Sequence, residues 1–182
     1  DLNWGYGYPL FLFNYPLPSI MAVGLHYLGA SYIWSVKLTL ALSMIGSGLS
    51  AYIFLRYLLK STSAGFTGAL FYVYAPIRFV NIYVSATFGN PVAFMFVPLI
   101  FWSITKASRG EFDQKSLLFG SLSLAGLILS HNIMALMFLP IVAAYAAFVL
   151  LSSPKKLWSY IIRNTVYIVL LGLGLSSWFL LP

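Results

Sequence analysis

Cysteine is absent from this sequence, and acids nearly so: Asp1, Glu111 and Asp113 are its only carboxylate side chains. The first absence excludes disulfides and thiol chemistry. The second excludes most paired-carboxylate catalysis and any carboxylate-rich cation site. Histidine is scarce too, and His26, His131 and one stray acid make no metal-ligand set. No strand pattern is present, so no Gly-rich phosphate loop follows one. No triad can be assembled, and no cofactor is called for. Charge itself is sparse, at 7% of residues, where a soluble domain carries about 25%.

What fills the chain instead is apolar. Hydrophobic residues make up 61% of the 182, against roughly 45–50% in a soluble domain. That composition describes an integral membrane protein. The net charge of +7 fits topology signals between apolar segments better than nucleic-acid binding, and no nucleic-acid partner is expected. There is no initiator Met or signal peptide. The closing run, Ser177 to Pro182, ends without a polar tail. The chain therefore reads as a piece of a longer protein, one transmembrane domain over residues 1–182.

The opening stretch, 1–18, is aromatic and rich in Gly and Pro, with neither a helical nor a strand period. Its prolines forbid a continuous helix, and exposed backbone cannot face lipid. An ordered loop at a membrane face is expected there. Pro16-Leu17-Pro18 is a helix-start signal, which predicts a short interfacial or re-entrant helix over 16–30. Membrane helices are expected over 32–59, 63–80, 91–105, 116–130, 132–151 and 157–182. The fold class is thus all-α, a polytopic bundle of about six spanning helices. Residues 116–151 form one apolar run long enough for two passes at about 1.5 Å per residue. Ser130-His131-Asn132 is its one plausible break.

Orientation supports that break. If 32–59 runs inward, then Arg56, Lys60, Lys106, Arg109, Lys115, Lys155, Lys156 and Arg163 fall inside. Only Lys37 and Arg78 fall outside, the bias the positive-inside rule requires. The loop 1–18 then faces outside on a multi-pass protein of the cell membrane. His26, Arg78, Asn81, Asn90, His131 and Asn132 gather at the same outer face. Polar groups at membrane depth line cavities or pathways, so an outward polar pocket walled by aromatics is expected.

Each candidate has two readings. Arg78 suits a phosphate or carboxylate, or snorkels to the interface. His131 can act as an acid, base or ligand, or merely break a helix beside Asn132. Asn81 falls in the polar outer segment. Tyr6 and Tyr8 can stack on a sugar or anchor at the interface. His26 suits amphipathic filling of a short helix, and Asn90-Pro91 suits a helix start. Asp1 is the one acid outside the inner loop and so a weak candidate for a catalytic base.

The run Asp1-Leu2-Asn3-Trp4-Gly5-Tyr6-Gly7-Tyr8-Pro9-Leu10-Phe11, with Phe13-Asn14-Tyr15-Pro16-Leu17-Pro18, resembles the first outer loop of a prokaryotic membrane family. That family is known as 6-pyruvoyl-tetrahydropterin synthase-related, a name that implies no pterin chemistry. It looks like a branch of the GT-C glycosyltransferases. Tyr74 to Tyr83, Leu129-Ser130-His131-Asn132-Ile133 and Leu173 to Pro182 agree in the same order. Ser85 and Asn90 stand where the family pattern has an Arg and then a Glu.

The resemblance implies a GT-C-like fold and transfer of a sugar from a polyprenyl-phosphate carrier at the extracytoplasmic face. Membrane lipid and the lipid-linked sugar are then the partners. Arg78 would contact the carrier phosphate, and His131 with Asn132 would line the cavity. The family's catalytic acid would precede Asp1. A non-catalytic alternative is a transporter, flippase-like module or scaffold in envelope glycan assembly, because broken helices also mark transport sites.

Overall fold

In the computed structural model, residues 14–181 are described, and they are helical with no strands. The aromatic loop over 1–13, with Asp1, Tyr6 and Tyr8, lies outside the described residues. Helix α1, Leu17–Tyr27, opens after Pro16 with Pro18 in its first turn, where proline's missing N–H costs nothing. The Ser31 hydroxyl accepts from the Trp34 N–H and starts α2, Tyr32–Leu59. Lys60, with φ of 53°, ends it. Ser61 caps α3, Thr62–Val73, and a four-residue helix α4, Pro76–Phe79, follows. A π-helical turn over Val80–Val84 leads to α5, Gly89–Ser108. The Asp113 carboxylate caps α6, Gln114–Ser130, and His131 caps α7, Asn132–Ser152. A 3₁₀ turn, Lys155–Leu157, precedes α8, Trp158–Leu180.

The exposed surface is that of a membrane protein. Four stretches are long and apolar enough to cross a bilayer: Tyr32–Leu59, Gly89–Ser108, Asn132–Ser152 and Lys155–Leu180. Their burial is inverted relative to a soluble protein. On α2, Thr39, Ser43 and Ser47 are fully buried, while Ile45 is 60% and Leu49 58% exposed. The buried hydroxyls satisfy themselves by donating to carbonyls one turn back, Thr39 to Ser35 and Ser43 to Thr39. Small residues let helix backbones approach, the packing available where lipid removes any hydrophobic drive. At Gly65 a Cβ would stand 2.8 Å from the Arg56 Cα, so α3 lies directly on the α2 backbone.

Helices α3, α2, α5, α6 and α8 pack side by side in that order, and α7 covers α5 and α6. Helix α5 is the centre, with 56% of its apolar window buried; α7 is the most lipid-like, with mean hydropathy 2.5 and 17% buried. Helix α1 folds back on α2. Two clusters identify one end of the array as the basic one. The Arg109 guanidinium donates to the Tyr57 and Leu58 carbonyls at the end of α2, at 2.7 and 3.0 Å. Lys106 pairs with Asp113 at 3.1 Å.

Two expectations need correction. The helix expected over 63–80 stops at Val73. Ala75 precedes Pro76 and is extended, with ψ of 129°, because the proline ring excludes the helical conformation from the residue before it. The remaining 12 residues of α3 rise about 18 Å, short of the roughly 30 Å of a bilayer core. The described residues therefore hold four candidate spans rather than six, with α6, at 17 residues, a shorter apolar helix. Elsewhere α2 matches its expected bounds, the break falls at His131, and α5 begins at Gly89 rather than Pro91.

Candidate functional site

Because α3 ends early, Arg78 is delivered to the middle of α2. Its Nη2 donates to Ser47 Oγ at 2.5 Å and lies 3.3 Å from Met44 Sδ. Ser47 is fifteen residues past Tyr32 and twelve before Leu59, so roughly 18 Å of helix separate it from the basic end. The guanidinium lies 4.5 Å from the Phe94 ring centre and 5.4 Å from that of Tyr72. Tyr72 donates to the Phe94 carbonyl at 2.7 Å, which locks this wall. Arg78 is 2% exposed, yet its Nε and Nη1 have no hydrogen-bond partner among the described residues. The single ion pair among those residues is Lys106–Asp113, so the Arg78 charge is unpaired there.

The backbone around it is broken. The segment from Tyr74 to Phe88 holds a proline, a π turn and Ala86 at φ of 48°. Tyr83 to Ala86 are exposed, so the break lies at the surface of the bundle, and π turns cluster at functional sites. Asn90 lies four residues before Phe94 on α5, hence on the same helix face. Its Oδ1 is buried without a partner. Donors on Arg78 and an acceptor on Asn90 are thus unsatisfied among the described residues. An apolar groove of about 850 Å³ runs between α2 and α3, lined by Gly48, Tyr52, Phe66 and Val73. It ends at Met44 and Tyr74, beside Arg78.

A second cluster sits one to two turns nearer the end opposite the basic one. Tyr15 stacks on His131, with centroids 4.5 Å apart. Gly89 fits against the Tyr15 ring and the Ser130 carbonyl. His131 is extended, with φ of −168°, and its Nδ1 accepts from the Met134 N–H at 3.2 Å. Burial pushes the His131 pKa down, so the neutral ring that caps α7 is favoured. The pH consequence has a definite sign. Below about 6.5 the unfolded chain takes up a proton that the folded site refuses, so stability falls as the medium is acidified and is full above that range. His131→Asn keeps a capping acceptor without the titration. Its thermal midpoint should hardly move between pH 7 and 5, whereas the wild-type midpoint drops. Equal acid sensitivity in both proteins would exclude His131 as the cause.

The other expected residues divide. Asn81 holds the Tyr74–Phe88 segment through its carbonyl, which accepts from the Thr87 N–H at 2.9 Å and the Thr87 hydroxyl at 3.0 Å. Asn132 is exposed and bonds its own helix at the Ile133 N–H, so it faces away from any enclosed cavity. His26 Nδ1–H donates to the Ala30 carbonyl at 2.8 Å and the ring stacks on Tyr32; it closes a turn. Met44, Ser47, Tyr72 and Phe94 build the Arg78 pocket, although none stands out in the sequence. The one signal for them is the four-residue spacing Ser35, Thr39, Ser43, Ser47, which marks the packed face of α2.

Among known proteins, the chain is 28% identical over 192 aligned positions to an uncharacterized protein of Lactococcus lactis subsp. cremoris (strain MG1363). The alignment takes in 98% of this chain and 30% of that protein, so the chain spans about a third of the relative's length. No family model matches the chain, and no solved structure matches it.

Proposed function

We propose that this chain is part of a GT-C-like membrane glycosyltransferase that takes a sugar from a polyprenyl phosphate at the extracytoplasmic face. The carrying observation is Arg78, a buried guanidinium with Nε and Nη1 unpartnered among the described residues. An uncompensated charge at such depth is costly, and a phosphate is the partner its planar fork fits. The groove ending at Met44 offers apolar surface for the isoprenoid chain beside that phosphate. Glu111 and Asp113, the two acids among the described residues, belong to the basic end. A catalytic base for the acceptor would therefore be Asp1 or a residue outside this chain. Incubation of the full-length protein with a labelled polyprenyl-phosphate sugar tests the reading: label should pass to an acceptor, and Arg78→Met should fail to pass it.

The broken segment Tyr74–Phe88 favours a second reading, a transporter or flippase-like module. Vesicles that move the lipid-linked sugar across the bilayer without releasing its sugar would decide for transport.

The orientation carries its own prediction. The bias of basic residues favours a cytoplasmic Lys60, Lys115 and Lys155 end. Lys115 and Asn132 are both exposed, and these 182 residues hold no cysteine, so any elsewhere in the full-length protein is first changed to Ser. An impermeant maleimide added to intact cells should label Asn132→Cys and leave Lys115→Cys untouched. The reverse pattern overturns the orientation.

A further inference from the structure

The basic end holds a second pocket, remote from Arg78, whose charge nothing described so far uses. It encloses about 480 Å³ between the end of α2 and the α5–α6 connection, lined by Tyr52, Arg56, Lys60, Trp102, Arg109 and Glu111. Three cations face one carboxylate. That carboxylate is engaged, since Tyr57 donates to Glu111 Oε2 at 2.7 Å. Arg109 is engaged as well, held against α2 by two backbone carbonyls and by the Tyr57 ring at 4.5 Å. Arg56 and Lys60 are exposed and have no acidic partner among the described residues. Arg56 reaches only the Tyr52 hydroxyl, at 3.4 Å. Lys106 lies over the far wall, 5.1 Å from the Trp102 ring centre, with its charge spent on Asp113.

We infer that this pocket binds the phosphate headgroup of an anionic membrane phospholipid. Charge complementarity asks for an anion, and the aromatic walls Tyr52, Tyr57 and Trp102 belong at the headgroup level. Basic pockets between membrane helices on the cytoplasmic side are suited to such headgroups. The pocket also shares Tyr52 with the apolar groove between α2 and α3. A ligand with its anion between Arg56 and Lys60 can lay an acyl chain past Tyr52 towards Phe66.

The test uses Trp102 as the reporter, since it lines the pocket. In the full-length protein every other tryptophan, including Trp4, Trp34, Trp158 and Trp178 here, is changed to Phe. Brominated phosphatidylglycerol or brominated phosphatidylcholine is then titrated into nanodiscs. The anionic lipid should quench Trp102 at a lower mole fraction, by about fivefold for each of the two free cations. Arg56→Gln with Lys60→Gln should bring the two curves together. Coincident curves in the parent, or a preference that survives the double variant, overturn the inference. Displacement of the brominated lipid by millimolar inorganic phosphate overturns it as well and assigns the pocket to a soluble anion. Native mass spectrometry of the unsubstituted protein gives a reading free of any folding defect: phosphatidylglycerol should be retained over phosphatidylcholine, and equal retention counts against the site.

Discussion

Arg78→Met in the full-length protein should lower sugar transfer by a hundredfold or more while leaving the thermal midpoint unchanged or raised. The two halves have separate physical grounds. On the functional side, removal of one donor aimed at a developing or bound anion costs on the order of 10²–10³ in rate. Arg78 would supply two such donors, Nε and Nη1. On the stability side, little is orphaned when the guanidinium leaves. Ser47 Oγ already donates to the Met44 carbonyl at 2.8 Å, and Tyr72 already donates to Phe94. What disappears is a buried charge without a counter-ion among the described residues, and replacing such groups by apolar ones of similar volume is often neutral or stabilising. Methionine also fills an irregular space lined by Met44 and two aromatic rings. Transfer within threefold of wild type would exclude Arg78 from the anion site. A fall of several degrees in midpoint would instead make its role structural. Arg78→Lys separates charge from shape: a lysine keeps the charge but loses the fork, so partial activity is expected.

Legibility differed by the kind of constraint. The bounds of α2 could be read because a long, mostly apolar run closes on Arg56 and Lys60. The break at His131 was readable from charge alternation, a global constraint that hydropathy alone does not contain. The expected helix over 63–80 overruns α3 because hydropathy stays high past Val73, while Ala75, held extended by Pro76, has already left the helix. Arg78 could be named as a residue type suited to an anion. Its pocket could not, because Met44, Ser47, Tyr72 and Phe94 come from three helices whose relative heights follow from the shortness of α3. Asn132 was grouped with His131 by adjacency, but a helix N-terminus turns successive side chains by about 100°, and only His131 points inward. The stacking of Tyr15 on His131 joins residues 116 positions apart (131 − 15) and has no local signal at all.

That stacking depends on a glycine. Gly89→Ala should destabilise the protein by about 1–3 kcal/mol, the usual range for overpacking a tight site, and should uncouple Tyr15 from His131. A Cβ on Gly89 would run into the Ser130 carbonyl oxygen and the Tyr15 ring at once. The ring can swing away, but the carbonyl belongs to the last turn of α6 and is backbone. Either α5 and α6 part at this end or Ser130 shifts, and His131 follows it directly in the chain. Tyr15→Ala added to Gly89→Ala should therefore recover only part of the loss, since it removes the flexible obstacle and leaves the rigid one. Gly174 is the control. It too is a helix-interior glycine, on α8, and nothing lies within 4 Å of where its Cβ would be. Gly174→Ala should be neutral or gain up to about 1 kcal/mol from helix propensity. Thermal midpoints of the four proteins in one detergent decide the matter. Equal midpoints for Gly89→Ala and Gly174→Ala would show that the α5–α6 contact has slack. Full recovery by Tyr15→Ala would place the whole conflict in the ring and none in the backbone.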